Sequence, residues 1–295
     1  MISKLILGTV QFGLRYGIAN THGQSSFQDV CRILKTAVAG GIKTLDTASA
    51  YGESESVLGK ALRDLNLSGK IDIVSKVSPL PDDLPESKAE AFIRDSLIRS
   101  LKNLHQDHLH TLLFHREKDW KYAEILKKIK EDGLILHYGC SIDGRVPENC
   151  SLLEAVQVPG NLLDRRFFPF IKAVHRRNVH VYVRSVYLQG LLLMPEEKFN
   201  PFLQPLIPYI RKLSKLADEA GMPLAELCVR YLCSMPEIDG VLTGVETQEQ
   251  LEYNLKLAEK DAIESDLRRK IEETVPELPE ELIRPSLWKK TGETK

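Results

Sequence analysis

Eight short apolar runs recur along this chain, and none is long. They occupy 5–9, 43–46, 71–76, 110–115, 134–140, 155–158, 179–184 and 238–242. Each is apolar on successive positions, the pattern of a parallel strand buried under helices. Between them lie amphipathic helical patterns near 27–39, 54–65, 87–104, 119–132, 146–153, 167–178, 204–235 (interrupted at Gly221-Met222-Pro223) and 247–261. Ala39-Gly40-Gly41 and Asp132-Gly133 supply C-terminal stops, and Thr247 with Gln250 three residues on forms a capping box. Eight strand–helix units in about 260 residues predict an α/β fold closed into a (β/α)8 TIM barrel rather than an open sheet. No linker or low-complexity block divides the 295 residues, so 1–295 reads as a single domain. A Pro-rich tail from about 275 is expected to wrap the barrel, with Trp288 either packed on its surface or lining a pocket mouth.

The charge balance narrows the function classes. Forty Lys and Arg against 41 Asp and Glu give no electrostatic footprint for nucleic acid or a membrane surface. No apolar run approaches the ~20 residues of a membrane helix, and no secretory leader is visible. Cys31, Cys140, Cys150, Cys228 and Cys233 are odd in number and scattered, as expected of reduced thiols in a cytoplasmic protein. The pattern carries no signal for oligomeric state.

A barrel delivers its active groups from the C-terminal ends of its strands. That geometry selects Asp46, Lys76 and His115, with Tyr51 in the loop after the second strand. Taken singly, Asp46 reads equally as a turn residue, Lys76 as a solvated strand end and His115 as a structural hydrogen bonder. Together they have a chemical reading. A phenol has an ordinary pKa near ~10; an adjacent ammonium lowers it, and a carboxylate holds that ammonium charged and oriented. An imidazole N–H can then place a carbonyl oxygen beside the phenol. Such a site protonates an oxygen, and since no side chain supplies hydride, a nicotinamide cofactor is implied. No metal is expected: the His105, His108 and His110 cluster precedes its strand and falls at the opposite end of the barrel.

Here the chain resembles the aldo-keto reductase superfamily, from Gly8-Thr9 through Leu45-Asp46-Thr47-Ala48, Tyr51-Gly52, Ser75-Lys76 and Phe114-His115 to Asn254. By that resemblance Tyr51 is the general acid, Lys76 and Asp46 tune it, and His115 orients a small-molecule carbonyl. Gly8 to Gly13 (GTVQFG) and Val183 to Leu192 (VRSVYLQGLL) are similar to a bacterial branch associated with surface-sugar genes, which implies a sugar-derived aldehyde or ketone. The resemblance further implies that NAD(P)H is held near Gly8, Thr9 and Asp46. Ser141 and Gln157 match the residues that bind the nicotinamide carboxamide, with Ile142 where an asparagine often follows. Ser185, Leu188 and Gly190 match a pyrophosphate loop, and Gly244, Thr247, Gln250 and Asn254 an adenosine site.

Two departures carry expectations of their own. Arg184 stands where relatives often stack an aromatic ring on the nicotinamide; a fixed cation there would disfavour the oxidised cofactor. Glu246 stands where NADP-preferring relatives often carry a base, and 241–255 contains no Lys or Arg. A carboxylate repels a 2′-phosphate and can accept from a ribose diol, which favours NADH; Glu246 equally suits the first turn of a helix. Phe12, Tyr16 and His22, the 190–203 segment and Trp288 are the candidate substrate-pocket elements. The rival readings on this fold are a cofactor-binding regulatory or sensor module and a lyase using Lys76 as a Schiff-base nucleophile. The latter needs a neutral lysine, which Asp46 opposes.

Overall fold

The structure, a computed structural model, describes residues 4–288. All eight expected strands form, each end within two residues of the sequence pattern. They are β1 (Leu5–Gly8), β2 (Thr44–Asp46), β3 (Asp72–Val77), β4 (Leu109–Phe114), β5 (Ile135–Ser141), β6 (Ala155–Pro159), β7 (His180–Arg184) and β8 (Gly240–Gly244). Every neighbouring pair is parallel, and β8 returns to β1, closing the barrel. Because Gly8 pairs with both Asp46 and Gly244, these three residues sit side by side at the C-terminal rim.

The helices are α1 (Val10–Gly13), α2 (Phe27–Ala39), α3 (Ser54–Asp64), α4 (Glu86–Leu104), α5 (Ala123–Glu131), α6 (Phe168–His175), α7 (Ile207–Glu219), α8 (Leu224–Cys233), α9 (Gln248–Ala258), α10 (Ser265–Thr274) and α11 (Glu280–Ile283). The cap at α9 forms with its return leg one residue early: Thr247 accepts from the Gln250 amide, and the Gln250 side chain accepts from the N–H of Glu246, the residue before the cap, at 2.7 Å. The helix expected over 146–153 is reduced to one 3-10 turn at Cys150–Leu152. Pro147 lacks an amide donor and Asn149 adopts φ 56°, so a regular helix cannot run through them. The pattern at 119–132 splits into a 3-10 segment at Glu117–Tyr122 and then α5.

Ile6, Val74, Leu113, Ala155, Tyr182 and Leu242 fill the barrel interior, while a larger apolar cluster joins the strands to the helical shell. At the N-terminal end the rings of His110 and His137 lie 5.1 Å apart, and those of His137 and His180 4.7 Å. Among the described residues no group of three or more His, Cys, Asp or Glu is arranged to hold a metal ion. No helix among them is long and apolar enough to cross a membrane. The tail does wrap the barrel as far as residue 288; its last seven residues lie outside the described ones. Ile283 is buried, and Arg284 and Ser286 both donate to Asp143 in the loop after β5. Trp288 takes the packing alternative: its indole donates to the Leu282 carbonyl at 3.1 Å and its ring rests on the apolar shell.

Candidate active site

Strand alternation turns Asp46 and Lys76 into the barrel from adjacent strands β2 and β3. Lys76 Nζ donates to both Asp46 carboxylate oxygens at 2.8 Å and to the Thr47 carbonyl at 2.9 Å, with both side chains almost fully buried. The loop leaving β2 then brings Tyr51 over the pair, with Lys76 Nζ 5.0 Å from its ring centroid. His115, one residue past β4, meets the Tyr51 ring edge-on at 5.7 Å. All four sequence-selected residues therefore converge on one point of the rim.

The Tyr51 loop is held from below. Thr9 Oγ1 donates to the Asp46 carbonyl at 2.9 Å, and Ser54 Oγ donates to the Thr9 carbonyl at 2.7 Å, tying β1 to β2 and to the start of α3. Gly13 lies directly against this turn. A Cβ there would fall 1.9 Å from the Tyr51 carbonyl oxygen, so any larger residue must displace the turn that carries the phenol.

Protonation follows from burial and from these neighbours. Burial opposes the Lys76 ammonium, but Asp46 and Tyr51 outweigh it and hold its pKa above the ordinary lysine value. Burial acts on Tyr51 in the opposite sense and raises it, with Lys76 countering. The expectation that Lys76 lowers the phenol's pKa is thus half right. The ammonium pulls downward, but desolvation of the phenolate is larger, so Tyr51 is held as the neutral phenol. Burial, then Lys76 and Arg184, push His115 down to about 3, so its imidazole is neutral. That leaves one ring nitrogen to donate and one to accept.

Beside the tetrad opens a cavity of about 510 Å³, within the ~300–1,000 Å³ range of small-molecule sites. Its walls come from β1 and α1, the 16–21 loop, the segment after β7, the end of β8 and the start of α9, and Asp46 and Tyr51 are part of its lining. Of the cofactor residues expected from the sequence, Gly8, Thr9, Asp46, Gln157, Arg184, Ser185, Gly190, Gly244, Glu246, Gln250 and Asn254 line it. The site suits a large polar ligand on structural grounds. Gln11 Oε1, Gln157 Oε1, Thr243 Oγ1 and His115 Nδ1 are buried without a partner, and the first three belong to residues of the wall. At Gly244 a Cβ would stand 2.7 Å from Gln11 Oε1, so the bare backbone keeps that wall open.

Other expectations need correction. Phe12 does not line the pocket: it is fully buried in the apolar shell, because α1 turns it inward. Leu188 likewise points into the shell, and the strained turn around it (φ 67° at Ser185, 48° at Leu188, 55° at Gln189) offers backbone instead. Ser141 is buried and Thr247 serves the α9 cap; neither side chain reaches the cavity wall, nor does Trp288. Gln157 has one foot elsewhere, its amide donating to Asp46 Oδ2 at 2.7 Å. Arg184 is not an unpaired cation: it donates to Asp143 at 2.9 Å, which removes the premise for disfavouring an oxidised cofactor. Glu246 Oε2 accepts from His22 Nδ1 at 2.8 Å, so the 12–26 loop reaches across to the turn after β8.

Met194 and Lys198 of the expected 190–203 segment line the wall, while Gln11, Tyr187, Gln189 and Tyr253 are wall residues not singled out from sequence. Tyr187 had a legible signal, sitting between two expected cofactor residues; its hydroxyl donates to Asn254 Oδ1 at 2.7 Å.

The model of the Aldo/keto reductase family matches residues 4–275. The chain is similar to D-arabinose 1-dehydrogenase of Saccharomyces cerevisiae, with 28% identity over 250 residues covering 76% of this chain and 74% of that protein. It is also similar to a probable voltage-gated potassium channel subunit beta of Arabidopsis thaliana, with 21% identity over 294 residues covering 86% and 88%. In structure it resembles the holo form of an aldo-keto reductase from Bacillus halodurans, with a TM-score of 0.76 and 21% identity over 96% of this chain and 95% of that one.

Proposed function

The chain belongs to the aldo/keto reductase family, and on that footing we propose that it reduces an aldehyde or ketone to an alcohol with Tyr51 as proton donor. The observation that carries this reading is the buried arrangement of Lys76 gripping Asp46 beneath Tyr51, with a neutral His115 at the phenol's edge. A reduced nicotinamide dinucleotide, when bound, supplies the hydride. The remaining work falls to the chain. His115 orients the carbonyl oxygen by a hydrogen bond, and Tyr51 gives it a proton as negative charge develops there. The Lys76 ammonium compensates the phenolate that remains, and Asp46 keeps that ammonium charged and in place.

The cavity walls fit the rest of such a cofactor. Gln157 and its unpaired Oε1 stand near the tetrad and would meet the carboxamide. The Ser185–Gly190 turn and Lys198 would take the phosphates. Gly244, Gln250 and Asn254 would take the adenosine. Glu246 would face the ribose diol, which favours NADH over NADPH. The substrate, by likeness to a D-arabinose dehydrogenase, is a sugar-derived carbonyl compound. A second reading is kept because three relatives are named probable or putative channel beta subunits: a dinucleotide-binding regulatory module. Fluorescence titration with NADH and NADPH, followed by turnover on a panel of sugar aldehydes and ketones, tests both. NADH binding with turnover supports the reductase, tight binding with none the regulatory module, and no dinucleotide binding contradicts both.

A further inference from the structure

Arg184 ends a line of six charges that alternate in sign. Asp164 accepts from Arg166 at 2.9 Å, and Arg166 lies 3.3 Å from Glu280. Glu280 pairs with Arg284 at 3.3 Å, Arg284 with Asp143 at 2.7 Å, and Asp143 with Arg184 at 2.9 Å. Three acids and three bases cancel. One end is anchored at Asp164, buried in the loop after β6; the other is Arg184, on the cavity wall at the end of β7. The two middle members, Glu280 and Arg284, belong to α11 and its C-terminal cap.

The Asp143 junction is built tightly. Its Oδ1 takes Arg184 and its Oδ2 takes both Arg284 and, at 2.7 Å, the Ser286 hydroxyl. Burial alone would raise the Asp143 pKa, but Arg184, Ser286 and Arg284 hold it well below the ordinary carboxylate range. Glu117 accepts from the backbone amides of Gly144 at 3.0 Å and Arg145 at 3.3 Å, fixing the loop that presents Asp143. Gly144 leaves room for the clamp: a Cβ there would stand 2.7 Å from the Arg284 guanidinium.

We propose that Asp143, held by Arg284, is a positioning residue that orients and neutralises Arg184 at the reaction centre, making the C-terminal segment a working part of the site. The inference rests on the nicotinamide reading above. Proton and hydride must reach the same carbonyl group, so a hydride-bearing ring would have to be held beside Tyr51. Arg184 lines the same cavity as Tyr51, so its charge would act on a ring held there. Oxidised nicotinamide is cationic and the reduced form neutral. A bare guanidinium would penalise only the oxidised form; paired with Asp143, it tolerates both.

The test is equilibrium titration of NAD+ and NADH on the full chain, wild type against Asp143→Asn, Arg284→Gln and the double variant Asp143→Asn with Arg184→Gln. Asp143→Asn should weaken NAD+ at least tenfold relative to NADH, and Arg284→Gln should shift the ratio in the same direction by about twofold to fivefold. The double variant, lacking both charges, should return the ratio to within about twofold of wild type. A purely structural role would lower both affinities together, so an unchanged ratio in Asp143→Asn overturns the proposal. If Asp143→Asn does not fold, the Arg284→Gln ratio decides in its place. Wild-type protein that binds neither dinucleotide would remove the nicotinamide reading itself, a distinct failure.

Discussion

Lys76 is the residue around which the site's electrostatics turn. An ammonium this deeply buried persists only because Asp46 offers both oxygens and Thr47 its carbonyl. Burial, and after it this charge, keep His115 neutral, which removes the imidazole from the expected pH dependence of reduction. The phenol must be protonated to act, and its pKa is raised, so the rate falls only on the alkaline side, above about pH 10. His115, at about 3, contributes no change at neutral pH. The reduction rate at saturating cofactor should therefore be level from about pH 5 to about pH 9. An inflection near the ordinary imidazole value of ~6.5 would contradict a neutral His115. At the other end of the cavity, Glu246→Gln removes the charge that repels a 2′-phosphate. The NADPH affinity of that variant should rise about tenfold relative to NADH, since ~1.4 kcal/mol corresponds to a factor of ten. An unchanged ratio would assign Glu246 to its contact with His22 alone.

At the scale of elements, the barrel was legible because its eight strands are apolar on successive positions and bounded by glycine stops and polar caps. Segments held by tertiary contacts were not. Residues 10–13 are too few to show a helical period, yet α1 decides that Phe12 faces inward and that Gly13 meets the Tyr51 turn. Of the four converging residues, Asp46, Lys76 and His115 were legible as strand ends and Tyr51 as part of the loop after β2; the Arg184–Asp143 pair was not, because its partners are 41 residues apart in sequence. Of the imidazole group at the barrel's N-terminal end only His110 was legible in the sequence, since β4, β5 and β7 each supply one ring. Burial lowers the pKa of His110 and of His137, with neighbouring imidazoles adding to it; Asp72 and Glu154 oppose, and Lys130 adds its charge beside His137. Both rings are thus more readily protonated unfolded than folded. Their neutral packing contributes fully above about pH 6.5, and that contribution is lost as pH falls through the folded values. The melting temperature of wild type should drop between about pH 7 and about pH 5 more steeply than that of His137→Gln. Parallel curves would contradict the assignment.

At the scale of the whole molecule, the fold gathers Asp46, Tyr51, Lys76 and His115 beside a cavity at the barrel's C-terminal rim and leaves the rest of its wall free for a ligand. Gly8, Asp46 and Gly244 share one register at the rim, so a ligand lying along β1 and β8 reaches Asp46 and Tyr51 without crossing the barrel. Family membership and the closed barrel agree with that arrangement, while the 12–26 and 190–203 loops expected to set the substrate carry no periodic signal in their sequences. The central claim is that Tyr51 delivers the proton. Removing Lys76 or Asp46 would leave a buried charge unpaired at a cost of about 3–5 kcal/mol, confusing chemistry with stability. Tyr51→Phe removes one hydroxyl and little packing. The decisive measurement is therefore cofactor titration and carbonyl reduction by Tyr51→Phe beside wild type. The account predicts dinucleotide affinity within about twofold and reduction slowed by roughly 10²–10⁴; undiminished turnover would contradict it.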